Sequence, residues 1–180
     1  MKWLQVLGML LCSAVVMAPA YTHDGDGGCM QGAMAQFGRY IGDWRIRDES
    51  LSQDGSTWTE GTGARWRFEC VGNGVAVQDF WMPFGGGYGT NLRTYNPSSD
   101  RWEIVWAATQ QSGLQRISAR ENDKGEVVMS IDYPTTPQPR RIIFFPPTDD
   151  GWNWAMQWSL DDGETWIDVY RITATPWSDD

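Results

Sequence analysis

Phe37-Gly38-Arg39-Tyr40-Ile41-Gly42-Asp43-Trp44 is the stretch whose reading decides the fold. An aromatic-rich turn hands over at Gly42 to a strand that begins with Trp44, and glycine permits the sharp bend that places a large ring at a strand start. Almost everything after it reads as short alternating strands and tight turns, and almost nothing before it reads as structure. The stretch therefore reads as the start of a β-barrel, with a core tryptophan beside a turn glycine as the plainer reading.

The rest of the composition agrees. A chain of 180 residues with 41% apolar content suits one domain with a real core. Twelve Trp and 20 Gly favour strands, turns and aromatic packing over a helical bundle.

Residues 1–20 read as a secretory signal: Lys2, the apolar run Leu4 to Met17, then the small-residue site Ala18-Pro19-Ala20. The run is shorter than a bilayer span and no later segment approaches one, so no membrane span is expected. Leu11 before Cys12 argues against lipidation. The product should be periplasmic or secreted. Loss of Lys2 with the leader takes the formal charge from −9 to −10, which argues against nucleic acid and anionic membrane as partners. Cys29 and Cys70 then remain in a compartment that permits oxidation; they either form a disulfide tying the N-terminal arm to a strand or stay apart.

Residues 21–36, with Asp24-Gly25-Asp26-Gly27-Gly28, have too little apolar content to pack and read as a flexible arm. They contain His23, the only histidine. The domain at 37–177 thus offers no His-based triad and no His-ligated zinc, and Asp24-Gly25-Asp26 has too few ligands for calcium. No metal or cofactor is expected.

Strands follow from Trp44 onward. Around Asn73-Gly74 a two-residue turn would set Gly72 against Val75, then Cys70 against Val77, Phe68 against Asp79 and Trp66 against Trp81. One face is then apolar except for Asp79. Further strands run over 90–95, 101–106, 114–120, 127–133, 140–145, 152–158 and 166–173, with a mobile loop expected at Gly85-Gly86-Gly87. About ten strands joined by short hairpins predict an all-β, single antiparallel up-and-down barrel; a sandwich is the alternative.

Ser159-Leu160-Asp161-Asp162-Gly163-Glu164-Thr165-Trp166 fits S-x-D-x-G-x-T-W, which resembles the Asp-box turn of sialidases. It occurs once, in a chain too short for a propeller, so Ser159, Asp161, Gly163 and Trp166 read as a folding device rather than an active site.

Asp79 is the informative acid, because a carboxylate on an apolar face costs several kcal/mol unless paired. Arg93 and Arg116 are its nearest candidate partners. Its plain reading is a structural ion pair. Its functional reading is a polar anchor, or a general acid or base, in a cavity walled by Trp66, Trp81, Trp106 and Trp154, with Tyr95 and Tyr170 as hydroxyl sources. Sugar stacking on an outer face is disfavoured by strand parity.

Gly42-Asp43-Trp44 is similar to the G-x-W signature of lipocalins. The ordered set Asp79 and Trp81, Arg93-x-Tyr95-x-Pro97, Trp102 and Trp106, and Ser159 to Trp166 resembles a bacterial lipocalin-like family of unknown function, over roughly residues 37–173. The resemblance implies a barrel closed at one end by Trp44, with a late arginine, Arg171, stacked across it. It also implies binding of a small apolar or aromatic molecule. About ten strands instead of eight, and no helix after the barrel, depart from the lipocalin pattern. Haem barrels of similar shape use a histidine that this domain lacks. Two alternatives stand beside the binder: an enzyme of isomerase, cyclase or lyase type using Asp79, and an envelope interaction module using the Gly85–Gly87 loop. The sequence speaks for neither a particular ligand nor an oligomeric state.

Overall fold

A computed structural model describes residues 27–178. The signal reading of 1–20, and the part of the arm at 21–26 that holds His23, lie outside the described residues.

Eleven strands form one antiparallel sheet: β1 (Gly42–Leu51), β2 (Trp58–Glu60), β3 (Ala64–Val71), β4 (Ala76–Pro83), β5 (Gly89–Asn96), β6 (Arg101–Ala108), β7 (Gln115–Glu121), β8 (Val127–Tyr133), β9 (Arg140–Phe144), β10 (Trp152–Trp158) and β11 (Ile167–Pro176). Each strand from β3 onward pairs with the next, and β11 returns to pair with β1 from Trp44↔Pro176 to Ser50↔Tyr170. Ten strands therefore close an up-and-down barrel and leave no free edge among themselves. The three-residue β2 stands outside the ring, bonded only to the end of β1, and is the strand that periodicity misses.

The β3–β4 register runs Cys70↔Val77, Phe68↔Asp79 and Trp66↔Trp81, as the hairpin count predicts. The turn itself is wider than two residues. Val75 N–H donates to the Val71 carbonyl at 3.0 Å, and Gly72, Asn73 and Gly74 all have positive φ. Widening the loop symmetrically leaves the pairing unchanged, so the inward face still carries Trp66, Phe68, Val77 and Asp79.

The flexible-arm expectation fails over residues 27–36. A 3-10 turn at Gly32–Met34 runs into a short helix, α1 (Ala35–Gly38), and the segment seats on the barrel end. Cys29, Phe37 and Tyr40 are fully buried. Cys29 is bonded to Cys70, with 5.8 Å between their Cα atoms. Trp102 Nε1–H donates to Gln36 Oε1 at 2.8 Å and the Tyr40 hydroxyl donates to the Phe145 carbonyl at 2.9 Å. A low-apolar arm is thus held by one covalent tie and two rings, which composition averaged over the segment does not reveal.

Phe37 and Tyr40 form the stopper, edge-on against Trp102, Phe144 and Trp152. Trp44 fastens it: its Nε1–H donates to the Tyr40 carbonyl at 2.8 Å and its ring meets Trp152 edge-on at 5.8 Å. Gly42, at φ 145°, has the Trp44 ring 3.5 Å from where a Cβ would stand. Arg171 does not lie across Trp44. It stacks on Trp58 of β2, 4.1 Å from the ring centroid, and pairs with Asp168. The reason is parity: Tyr170, Ile172 and Ala174 face inward on β11, so Arg171 faces out.

At the β10–β11 hairpin the Asp-box residues bond locally. Ser159 Oγ accepts from Gly163 N–H at 2.7 Å, and Asp161 accepts from the Thr165 amide and hydroxyl at 2.8 and 2.6 Å. The Thr165 bonds, with that from Ser159, hold the Asp161 carboxyl down at about 2. Trp166 Nε1–H donates to the Gly163 carbonyl.

Candidate functional site

Above the stopper the interior is hollow. A cavity of about 280 Å³ lies among β3–β11, near the lower end of the range for small-molecule sites. Alternation along each strand supplies its walls: Trp66 from β3, Trp81 from β4, Trp106 from β6, Ile117 from β7, Met129 and Ile131 from β8, Trp154 and Met156 from β10. Its polar border is Asn91, Arg93, Gln115, Arg140 and Tyr170. Trp81, Trp106 and Tyr170 also border a second space of about 320 Å³, which reaches Gly86, Gly87 and Tyr88. The barrel is therefore stoppered at the Phe37–Tyr40 end and approached from the Gly85–Gly87 end.

Arg93 and Asp79 anchor the deep side. Both are fully buried, and Arg93 Nη2 donates to Asp79 Oδ2 at 2.5 Å. Asn91 completes the carboxylate shell: its amide N–H reaches Oδ1 at 2.9 Å and its Nδ2 reaches Oδ2 at 3.0 Å. The guanidinium lies over the rings of Phe37, Phe68 and Phe144, at 4.9, 5.2 and 5.8 Å from their centroids. Such a charge pair is tolerable in an apolar interior because every carboxylate oxygen is bonded and the cation rests on aromatic faces.

At the opposite border the Tyr170 hydroxyl donates to Asp48 Oδ2 at 2.5 Å, and Asp48 also accepts from Gly63 N–H at 2.8 Å. Burial, then the bond to Asp48, raises the phenol well above its ordinary range.

The barrel is similar to a solved structure, the S-type phycobiliprotein lyase CPES from Guillardia theta. The two superpose with a TM-score of 0.56 at 11% identity, over 86% of this chain and 97% of that one. At that identity the likeness shows the fold alone: a lipocalin-like antiparallel barrel. No family model matches the sequence, and no curated protein does.

Of the residues singled out from sequence, Arg93, Trp66, Trp81, Trp106 and Trp154 border the cavity together. Asp79 sits behind Arg93 and Asn91 and is not part of the wall. Tyr95 lies toward the stoppered end, its hydroxyl on Asp100 and its ring edge-on to Trp102. Arg116 faces outward and stacks on Tyr133. Asn91, Gln115 and Arg140 are the polar wall residues that sequence reading missed. Parity would have found two of them: Asn91 is two residues from Arg93, and Arg140 is in phase with Ile142 and Phe144.

Proposed function

We propose that the protein is an exported binder of a small apolar or aromatic molecule, a member of the bacterial lipocalin-like family whose ordered motifs it resembles. The observation that carries this reading is the cavity itself, about 280 Å³ of interior faced by four indole rings and bordered by a few polar groups. Indoles offer large flat surface at little entropic cost and suit flat or apolar ligands. Export draws support from the leader-like pattern of residues 1–20 and from the Cys29–Cys70 bond, which suits an oxidising compartment. Asp79 as a catalytic acid or base is the less favoured reading, since both its oxygens are engaged and it does not border the cavity.

The test uses N-phenyl-1-naphthylamine, a neutral fluorescent aromatic. Saturable enhancement of its emission, with quenching of tryptophan fluorescence, is expected from the mature chain. Absence of any saturable signal, with no shift in melting temperature across a panel of aromatic metabolites, overturns the reading. Export is tested separately by cell fractionation and N-terminal sequencing, with a mature terminus expected near Tyr21.

A further inference from the structure

We infer that the ligand of this cavity is an organic carboxylate, held through Arg140; the inference rests on the binding reading above and narrows it.

The chain is acidic, at formal net charge −9, yet among the described residues no carboxylate borders the cavity, whereas two arginines do. The two arginines differ in what already neutralises them. Arg93 is matched by Asp79 within hydrogen-bond distance. Arg140, on the first residue of β9, forms no ion pair among the described residues and rests only on the face of Trp158, 4.7 Å from the ring centroid. Its Nε–H is buried and without a partner.

The second observation is the sign of the unmet hydrogen bonding. Among the residues that border the cavity, the buried side-chain atoms that lack a partner are Trp66 Nε1, Arg93 Nε and Nη1, and Arg140 Nε. All four are N–H donors, and none is an acceptor. Buried donors left unbonded cost free energy in an apolar interior, so a set of one kind defines the complement that relieves it. That complement is a group with several acceptors and no donor. A carboxylate supplies two such oxygens and the negative charge that Arg140 lacks. An amine or ammonium ligand would meet donors with donors, and a pure hydrocarbon would leave all four unmet. The apolar body of the ligand then lies against Trp66, Trp81, Trp106 and Trp154. Long-range repulsion from the acidic surface opposes an anion only weakly at ordinary salt, where charges farther apart than about 8 Å are screened.

The experiment uses the full mature chain with N-phenyl-1-naphthylamine as reporter, displaced by 2-naphthoate or by 2-naphthamide, which share a skeleton and differ in charge. Naphthoate is expected to displace the reporter at about tenfold lower concentration, the ratio that one charged hydrogen bond sustains. In Arg140→Gln the ratio should fall to near one while naphthamide moves by less than about twofold, and Arg140→Lys should restore much of it, since a lysine keeps the charge. Loss of naphthamide binding in R140Q as well would mean a packing role for Arg140 and would overturn the inference. Equal displacement by both competitors in the wild type overturns it too, while leaving the binding reading intact. If the reporter does not bind and no aromatic metabolite shifts the melting temperature, both fall.

Discussion

Arg93 donates to Asp79 at 2.5 Å with neither side chain exposed to solvent, and the pair stands at the junction between the stopper and the hollow part of the barrel. On one side the guanidinium lies over Phe37, whose ring belongs to the segment that seals the barrel end. On the other side it borders the cavity. One ion pair therefore serves both halves of the interior.

Removing half of that pair should be costly. Asp79→Ala leaves a buried cation uncompensated and frees the Asn91 amide, and should destabilise the barrel by about 3–5 kcal/mol. In a cycle of Asp79→Asn, Arg93→Met and the two combined, the double variant keeps the site neutral and should lose clearly less than those two single variants added together. Urea denaturation of the four proteins measures the coupling, and simple additivity would refute it.

The Cys29–Cys70 bond closes a loop of 41 residues in sequence separation and ties the stopper to β3. Its reduction, or paired replacement by serine, should cost about 2–4 kcal/mol. The loss should appear first around Phe37 and Tyr40, as faster amide exchange over 27–41 than over β5–β8. Uniform exchange throughout would mean that the stopper does not depend on the bond.

Gly89→Ala tests the cavity wall through a backbone position. A Cβ there would stand 2.1 Å from the Trp106 ring, so the indole must move. Overpacking of this kind costs about 1–3 kcal/mol. Because Trp106 borders both interior spaces, the variant should also change the affinity for N-phenyl-1-naphthylamine. Unchanged affinity in a folded G89A protein would remove Trp106 from the binding surface.

Alkaline stability should be limited by two phenols. Burial pushes Tyr40 up to about 12 from 10.0, and burial with the bond to Asp48 pushes Tyr170 further in the same direction. Both groups hold their proton more tightly when folded. Their contribution is therefore complete below about pH 10, where the unfolded phenol titrates, and is lost as pH rises from there through the folded values. Denaturation midpoints taken from pH 8 to 12 should fall over that window, and Tyr170→Phe should flatten the fall. An unaltered alkaline limb in Y170F would refute its share.

Strand parity and turn chemistry make most of the barrel legible in the sequence: the register at Phe68↔Asp79 follows from a single Asn-Gly turn, even though that turn is wider than the shortest one. What parity alone does not supply is contact across long sequence distance. Resemblance sets Arg171 against Trp44, yet alternation with Tyr170 and Ile172 sends it outward to Trp58, on a strand too short to show a period. The aromatic stretch from Phe37 to Trp44 is legible as the closed end, whereas the seating of residues 27–36 beneath it is not, because that segment follows a run rich in Gly and Asp. Four wall tryptophans and Arg93 are readable as candidate wall residues, whereas Arg140, at the correctly read start of β9, stands out as a wall residue only once its phase with Ile142 and Phe144 is followed.

The seam between β1 and β11 joins the first long strand to the last, from Trp44↔Pro176 to Ser50↔Tyr170. Until Ile167–Pro176 has been made, β1 and β10 are both open edges, and the interior faces have no continuous wall. Order of synthesis therefore gives this chain no partial barrel to rest in, and a protein truncated before Ile167 should aggregate instead of shortening gracefully.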